Sequence, residues 1–397
     1  MIHSHPARFL PFLLLIACSR PHPAEEVDAS VTEAREDSLA LVAAYAGQDL
    51  IERSVTASVE TASARAGVMD DAADDPAIWV HPTDPARSLV FGSNKTSGLA
   101  AYNLAGEEVA YYEIGNVNNV DILTDVPLGE ERITLLGASN RTNQAIDLYL
   151  VDEESGALTD LADGIQYMDS TRIDDVYGFA LARAEGVVYA VANGKNGLMQ
   201  QFRVVERGPK LGLELVREVQ FPSQTEGMVA DNDLGWLYVG EEAAGIWKLP
   251  LQPEEMGGGA QEVADPENED PARARLLAAR VGDPADLVAD VEGITLFENP
   301  DGSGYLVASI QGNFTYALFD REGDNDYLGS FKIMDGVVDG VEETDGLEVI
   351  RTPLPGFPGG LLVVQDGFNF DGDTLQPQNF KYVDFGQVLQ LDLDLDL

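Results

Sequence analysis

Cysteine is nearly missing from these 397 residues: Cys18 is the only one. The body of the chain therefore has neither a disulfide framework nor thiol chemistry. Histidine is almost as scarce. His3, His5 and His22 precede the folded region, which leaves His81, beside Pro82 in a loop, as a satisfied or exposed side chain. Histidine-rich zinc sites and phosphohistidine chemistry are thereby excluded. Basic residues are also few, 24 Lys plus Arg against 69 Asp plus Glu, for a net charge of −45. That balance excludes a phosphate-backbone binder of the usual basic kind. Carboxylate, amide, Lys, Arg and Tyr remain for chemistry. The acidity reads either as a solvated, self-repelling surface or as hard-cation binding through oxygen, and the two uses need different carboxylates.

What is present is a repeat. Asp75, Asp121, Tyr177, Glu226, Glu292 and Asp345 each stand just before a small or apolar residue and a β-rich run, at steps of 46, 56, 49, 66 and 53 residues. A period of about 50 residues in a β-rich chain is the mark of propeller blades, and six markers imply six. A second series follows each marker by about twenty residues: Ser93-Asn94-Lys95, Ser139-Asn140-Arg141, Asn193-Gly194-Lys195, Gly240-Glu241-Glu242, Gln311-Gly312-Asn313 and Gln365-Asp366-Gly367. If the markers open first strands, this series closes second strands. Neighbouring strands of a blade are antiparallel, so both series meet at one mouth. The expected fold is all-β, a six-bladed β-propeller with four-stranded antiparallel blades, behind a signal peptide and a short tether.

In chain order, residues 1–17 carry one arginine and then an apolar run too short to span a membrane, which reads as a signal peptide. Leu15-Ile16-Ala17-Cys18 resembles a lipobox, with Cys18 as the lipidated residue and Ser19 matching outer-membrane sorting. Export and a lipid anchor in the outer membrane are the expectation. Residues 18–53 read as an acidic tether with some helix, and residues 54–397 as the propeller. Val55, Ala57 and Val59 predict a strand over 54–61 that closes the ring on the last blade. Residues 252–289 read as a surface insertion with a helix-like stretch at 272–280, and 389–397 as a strand with one wet face.

At the mouth, blades one to three offer Lys95, Arg141 and Lys195, and blades four to six offer Glu241 with Glu242, Gln311 and Asp366. Asp75, Asp121, Glu226, Asp290, Glu292 and Asp345 join them. Any one of these acids reads as a turn residue. Six together would repel and raise one another's pKa values, unless Ca²⁺ ions with six to eight oxygens each neutralise them. An acidic, metal-loaded half facing a basic half suits a polyanion, and phosphoryl oxygens fit best.

Asp74-Asp75-Pro76-Ala77-Ile78-Trp79, Asn94-Lys95-Thr96-Ser97-Gly98-Leu99, Asn118-Asn119-Val120-Asp121-Ile122, Val176-Tyr177-Gly178-Phe179, Ser223-Gln224-Thr225-Glu226-Gly227-Met228 and Asp290-Val291-Glu292-Gly293 resemble the β-propeller phytase family. The likeness runs on through Gln311-Gly312-Asn313, Thr344-Asp345-Gly346 and Gln365-Asp366-Gly367, in order over about residues 68–385. It implies a phosphoric monoester hydrolase (3-phytase-like) that uses several Ca²⁺ ions to hydrolyse phytate, myo-inositol hexakisphosphate. By position it implies Lys95, Arg141, Lys195 and Tyr177 as phosphate-binding and catalytic residues, with Gln311 beside them. Glu226, Asp290 and Glu292, with Glu241 or Glu242, are implied ligands of the catalytic calcium. Asp74, Asp75, the Pro76 carbonyl and Asp121 are implied at a further metal site near the mouth, and Asp345 and Asp366 at a more structural calcium. Thr96, Asn196 and Leu123 stand where the family often has Lys, an acid and Arg, which removes two positive charges and one negative. With Cys and His lacking, the expected chemistry is direct attack by a metal-bound water positioned by Glu226. The expected partner is calcium phytate, with no nucleic acid, a membrane met only through the lipid, and a monomeric state. A calcium-stabilised binding lipoprotein, or another propeller esterase or lactonase, is the alternative.

Overall fold

The computed structural model describes residues 29–253, 261–267, 275–280 and 287–391; the expected signal peptide and Cys18 lie outside the described residues. Two units divide the chain, Met1–Leu41 and Val42–Leu397. In the first, the described part is the start of a helix, Ala29–Leu50, rich in alanine and other good helix formers. In the second, the end of that helix is docked. The Tyr45 ring meets Phe314 edge-on at 5.1 Å, Gln48 donates to the Phe314 carbonyl at 3.2 Å, and Lys332 donates to the Gln48 carbonyl at 3.0 Å. The last turns of the expected tether thus belong with the body that follows. No described helix is long and apolar enough to cross a membrane.

The body is the expected six-bladed propeller. Blade one comprises Ala73–Trp79, Leu89–Asn94, Gly98–Asn103 and Glu108–Tyr112; blade two Val117–Leu128, Glu131–Asn140, Ala145–Val151 and Leu158–Asp160. Blade three comprises Val176–Ala184, Val187–Gly194, Leu198–Arg207 and Lys210–Gln220; blade four Thr225–Asp231, Trp236–Glu241, Gly245–Pro250 and Arg275–Arg280. Blade five comprises Val291–Glu298, Gly304–Ile310, Thr315–Asp320 and Tyr327–Met334. Blade six has Leu347–Ile350, Leu361–Asp366 and Asn379–Asp384, and takes its outer strand, Val59–Glu60, from the far end of the chain.

Strand periodicity sends alternate residues to opposite faces, and each face is a blade interface. Leu361 and Val363 pack against blade one, with Ile78, Val90 and Tyr102. Leu362 and Val364 pack against blade five, with Phe331 and Leu318. Equivalent clusters fill the other four interfaces. Side chains also hook across the inner strands. Asp75 accepts from the Val120 amide at 3.0 Å, Asp121 from Leu181 at 2.6 Å, and Thr295 from Val349 at 3.1 Å, while Glu348 accepts from Ile78.

Three expectations change. The stretch 54–61 is two strands: Ser54–Thr56 runs parallel on blade five, and Val59–Glu60 closes blade six. Arg275–Arg280, expected helical, is the fourth strand of blade four, because an open ladder beside Gly245–Pro250 outweighs local helix propensity. The expected C-terminal strand begins instead as a 3-10 helix, Phe385–Gln390, capped by Asp384, and residues 392–397 lie outside the described residues. His81 is buried in its loop, accepting at Nδ1 from the Thr83 and Asp84 amides.

Candidate active site

Five innermost strands break register at one place, between Ala73 and Pro76, Val117 and Val120, Val176 and Phe179, Thr225 and Met228, and Val291 and Ile294. Such a bulge re-aims a side chain, and the re-aimed residues are Asp74, Asn118, Tyr177, Glu226 and Glu292. Asp345, ahead of Leu347–Ile350, takes the sixth place. Glycine follows in four blades because the next blade's backbone comes too close for a Cβ. A Cβ on Gly178 would lie 1.9 Å from the Glu226 carbonyl, one on Gly227 2.1 Å from Glu292, and one on Gly293 2.6 Å from Asp345. The bulge amides are satisfied from second strands: Ser93 accepts from Asp75, Ser139 from Asn119, Asn193 from Gly178 and Gln365 from Asp345, at 2.8–2.9 Å. The repeat markers in blades one and two were therefore out of register. Asp75 and Asp121 are inter-blade hooks, and the residues equivalent to Glu226 are Asp74 and Asn118.

These six make an inner ring. The Asn118 amide donates to Asp74 at 2.9 Å and to Glu226 at 2.7 Å. Tyr177 and Glu292 both border Glu226. Glu226, Glu242 and Glu292 bring carboxylate oxygens within 4.8 Å of one another. Burial first, and then the neighbouring acids, push Asp74 and Glu292 well above the usual carboxylate range and raise Glu226 too. Burial and the charge of Glu226 push Glu242 up to about 7. Glu242 Oε1 and Glu292 Oε2 are buried with no hydrogen-bond donor.

An outer ring is set by a repeated backbone bond from the loop after each second strand. The amides of Lys95, Arg141, Lys195, Glu242, Gln311 and Gly367 donate to Ala72, Asn116, Asp175, Gln224, Asp290 and Glu342 carbonyls, at 2.7–3.2 Å. The three cations are thus equivalent positions on adjacent blades, as the sequence implied. In blade four the equivalent residue is Glu242. Glu241, one place earlier, gives its oxygens to Ser223 and to Trp247 Nε1. In blade six it is Gly367. Asp366 is fully buried 3.4 Å from Lys381, whose ammonium also pairs with Glu60 and Asp339. Asp121 gives both oxygens to the Ile122 and Leu181 amides. Pro76 sits in blade one opposite Gly92, and half-buried Asp290 has its pKa raised by burial.

Lys195 Nζ lies 4.5 Å from the Tyr177 ring centre, and the Arg141 guanidinium 5.9 Å from it. Arg141 also donates to Asp175 at 2.5 Å and to Asn118 at 3.3 Å. Burial would lower Lys95, but Asp345, Asp74 and Asp71 reverse this and hold its ammonium well above the ordinary value. Gln311 donates to Asp345 at 2.5 Å. A cavity of about 370 Å³ opens here, lined by Lys95, Tyr177, Glu292, Gln311 and Asp345 at its base. Thr96 and Asn196 serve their own turns, Thr96 through Asn94 and Asn196 through the Arg172 carbonyl, and Leu123 packs on the apolar cluster between blades two and three. Sequence reasoning missed Asn118, Asp71 and Asp175. Asn118 was visible only as the residue in register with Glu226.

A sequence model of the family described as Phytase matches residues 27–397. The 3-phytase of Bacillus subtilis (strain 168) is 41% identical over 343 residues, covering 85% of each chain. Among solved structures, the PQQ-bound aldose sugar dehydrogenase from Streptomyces coelicolor aligns with a TM-score of 0.44 at 12% identity, over 84% of this chain and 97% of that one.

Proposed function

From a chain that belongs to the phytase family and hydrolyses phosphate monoesters of phytate, we propose a calcium-dependent reaction by direct displacement at the mouth. The observation that carries this is the Glu226–Glu242–Glu292 cluster beside Tyr177, whose ring Lys195 and Arg141 approach and whose cavity Lys95 lines. The donor set fits a hard cation: it offers only oxygens, and two of them are buried without a donor. Glu226, Glu242 and Glu292 would hold one calcium, with Asp290 beside them, and Asp74, whose Oδ1 is buried without a hydrogen-bond donor, would help hold another. When bound, calcium supplies charge that neutralises these acids and makes nearby water more acidic.

The protein's own groups do the rest. Lys95, Arg141 and Lys195 take the phosphoryl oxygens, where charge spreads in the transition state. Burial and the surrounding acids raise Tyr177 far above its usual range, so its hydroxyl stays protonated and donates. Glu226, beside Tyr177 and Glu292, orients the attacking water and takes its proton. The route needs no phosphoenzyme: Cys18 lies before the body, the His81 ring is engaged in its own loop, and the candidate carboxylates are better occupied as metal ligands. Phosphate release from phytate should vanish with chelator, and an isotope-labelled chiral monoester should invert at phosphorus. Retention, or a trapped phospho-aspartate, would overturn the displacement. Release that survives chelation would overturn the calcium requirement.

We also infer export and a lipid on Cys18. Cys18→Ser should move the protein from the membrane fraction, and fractionation like the parent's would count against the anchor.

A further inference from the structure

Lys95 is surrounded. Its ammonium lies 2.6 Å from Asp71, 2.8 Å from Asp345 and 3.2 Å from Asp74. Asp74 and Asp345 are fixed ring members, held by Asn118 and Gln311. Asp71 is different. Its side chain is 71% exposed, where that of Lys95 is 8% exposed, and it rides on the turn closed by the Gly67 amide on Asp70 at 2.7 Å. The exposed Val68 and Met69 ride on the same turn, and with Asp70 and Asp71 they line the cavity above Lys95.

A phosphoryl oxygen that reaches Lys95 needs one of its three carboxylates to leave. Moving Asp74 would break a buried hydrogen bond, and moving Asp345 would break the Gln311 contact. Asp71 is the exposed member of the three and can turn out to water with both ring contacts left in place. We propose that Asp71 is a placeholder for the substrate phosphate on Lys95 and sets the affinity of the site. The inference rests on the reading of Lys95 as a phosphate cation. A doubly charged phosphoryl group on a polyphosphorylated ring, held elsewhere by Arg141 and Lys195, displaces Asp71. Free inorganic phosphate must displace Asp71 too, so Asp71 weakens substrate and product on Lys95 by a similar factor.

The test compares Asp71→Asn, Asp70→Asn and Lys95→Met in calcium buffer. Asp70→Asn removes the same charge from the same turn, keeps an oxygen to accept from the Gly67 amide, and leaves the Lys95 contact. Expected for Asp71→Asn are a three- to tenfold fall in KM for phytate, kcat within twofold of the parent, and a similar fall in the inhibition constant of inorganic phosphate. Calorimetric binding of the inert analogue myo-inositol hexasulfate should tighten in parallel, with Asp70→Asn within twofold of the parent throughout. Lys95→Met should raise KM and weaken the analogue. An Asp71→Asn KM equal to that of Asp70→Asn overturns the placeholder alone. A Lys95→Met variant with unchanged KM and analogue binding overturns the phosphate reading, and the placeholder with it. An Asp71→Asn variant that needs more calcium and binds the analogue less tightly makes Asp71 a metal ligand instead.

Discussion

A Cβ on Gly227 would stand 2.1 Å from the Glu292 carbonyl and 2.9 Å from the Gly293 Cα, so blade four could keep its contact with blade five only by moving. We expect Gly227→Ala to cost about 3 kcal/mol or more, read by chemical denaturation, and a cost below about 1 kcal/mol would show that the blades slide apart freely. Arg141 makes the opposite case. It and Asp175 are each about a quarter exposed, and such a pair adds little stability. Arg141→Ala should therefore lower kcat/KM on phytate about 100-fold while the melting temperature barely moves. A large fall in melting temperature with unchanged kinetics would assign it to structure. The residue scale is also where the sequence was hardest to read. Lys95, Arg141 and Lys195 were legible because cations are scarce in this chain. Asn118 was not, because an amide beside Asn119 looks like a turn, and only the bulge shows that it shares a place with Glu226.

Among the elements, second and third strands were legible because continuous apolar runs end in polar loop residues, as at Val187–Gly194 and Ala145–Val151. The bulges were not, since an extra residue breaks the alternation that reveals a strand and slides the apparent marker onto Asp75 or Asp121. Arg275–Arg280 was misread because an edge strand's identity comes from its neighbour. The closing strand was legible in outline, and its fastening was not. Lys381 is fully buried, 2.6 Å from Glu60 on that strand, and also pairs with Asp339. Lys381→Met leaves those acids around an apolar chain. We expect a loss of about 3–5 kcal/mol, with the Val59–Glu60 amides exchanging with solvent first. Protection of those amides equal to the parent's would show that backbone pairing alone holds the ring.

For the whole molecule, pH reports on the buried acid. Asp121, Asp366 and Glu242 are each pushed up to about 7, chiefly by burial, whereas unfolded carboxylates titrate near about 4. Between those limits the folded chain binds more protons than the unfolded one, so stability falls as pH rises. Calcium-stripped protein should therefore melt at a lower temperature at pH 8 than at pH 5, and a rise across that window would contradict the buried-acid picture. A calcium held at Glu242 as proposed would compete with its proton, so added calcium should raise the melting temperature more at pH 8. The closure of blade six has a consequence for biosynthesis. Its outer strand is Val59–Glu60, and the strand it pairs with is Asn379–Asp384, near the other end of the chain. A ribosome or export channel delivers one early and the other late, so Val59–Glu60 waits with its edge unpaired while five blades' worth of chain goes by. The pairing is about as non-local as this chain allows, and such contacts form slowly. Blade six also meets blade one at the mouth, where the Gly346 amide donates to the Asp74 carbonyl at 3.0 Å and Lys95 pairs with both Asp74 and Asp345. A stalled or clipped chain thus leaves the Lys95 side of the mouth without Asp345, the acid that blade six brings to it.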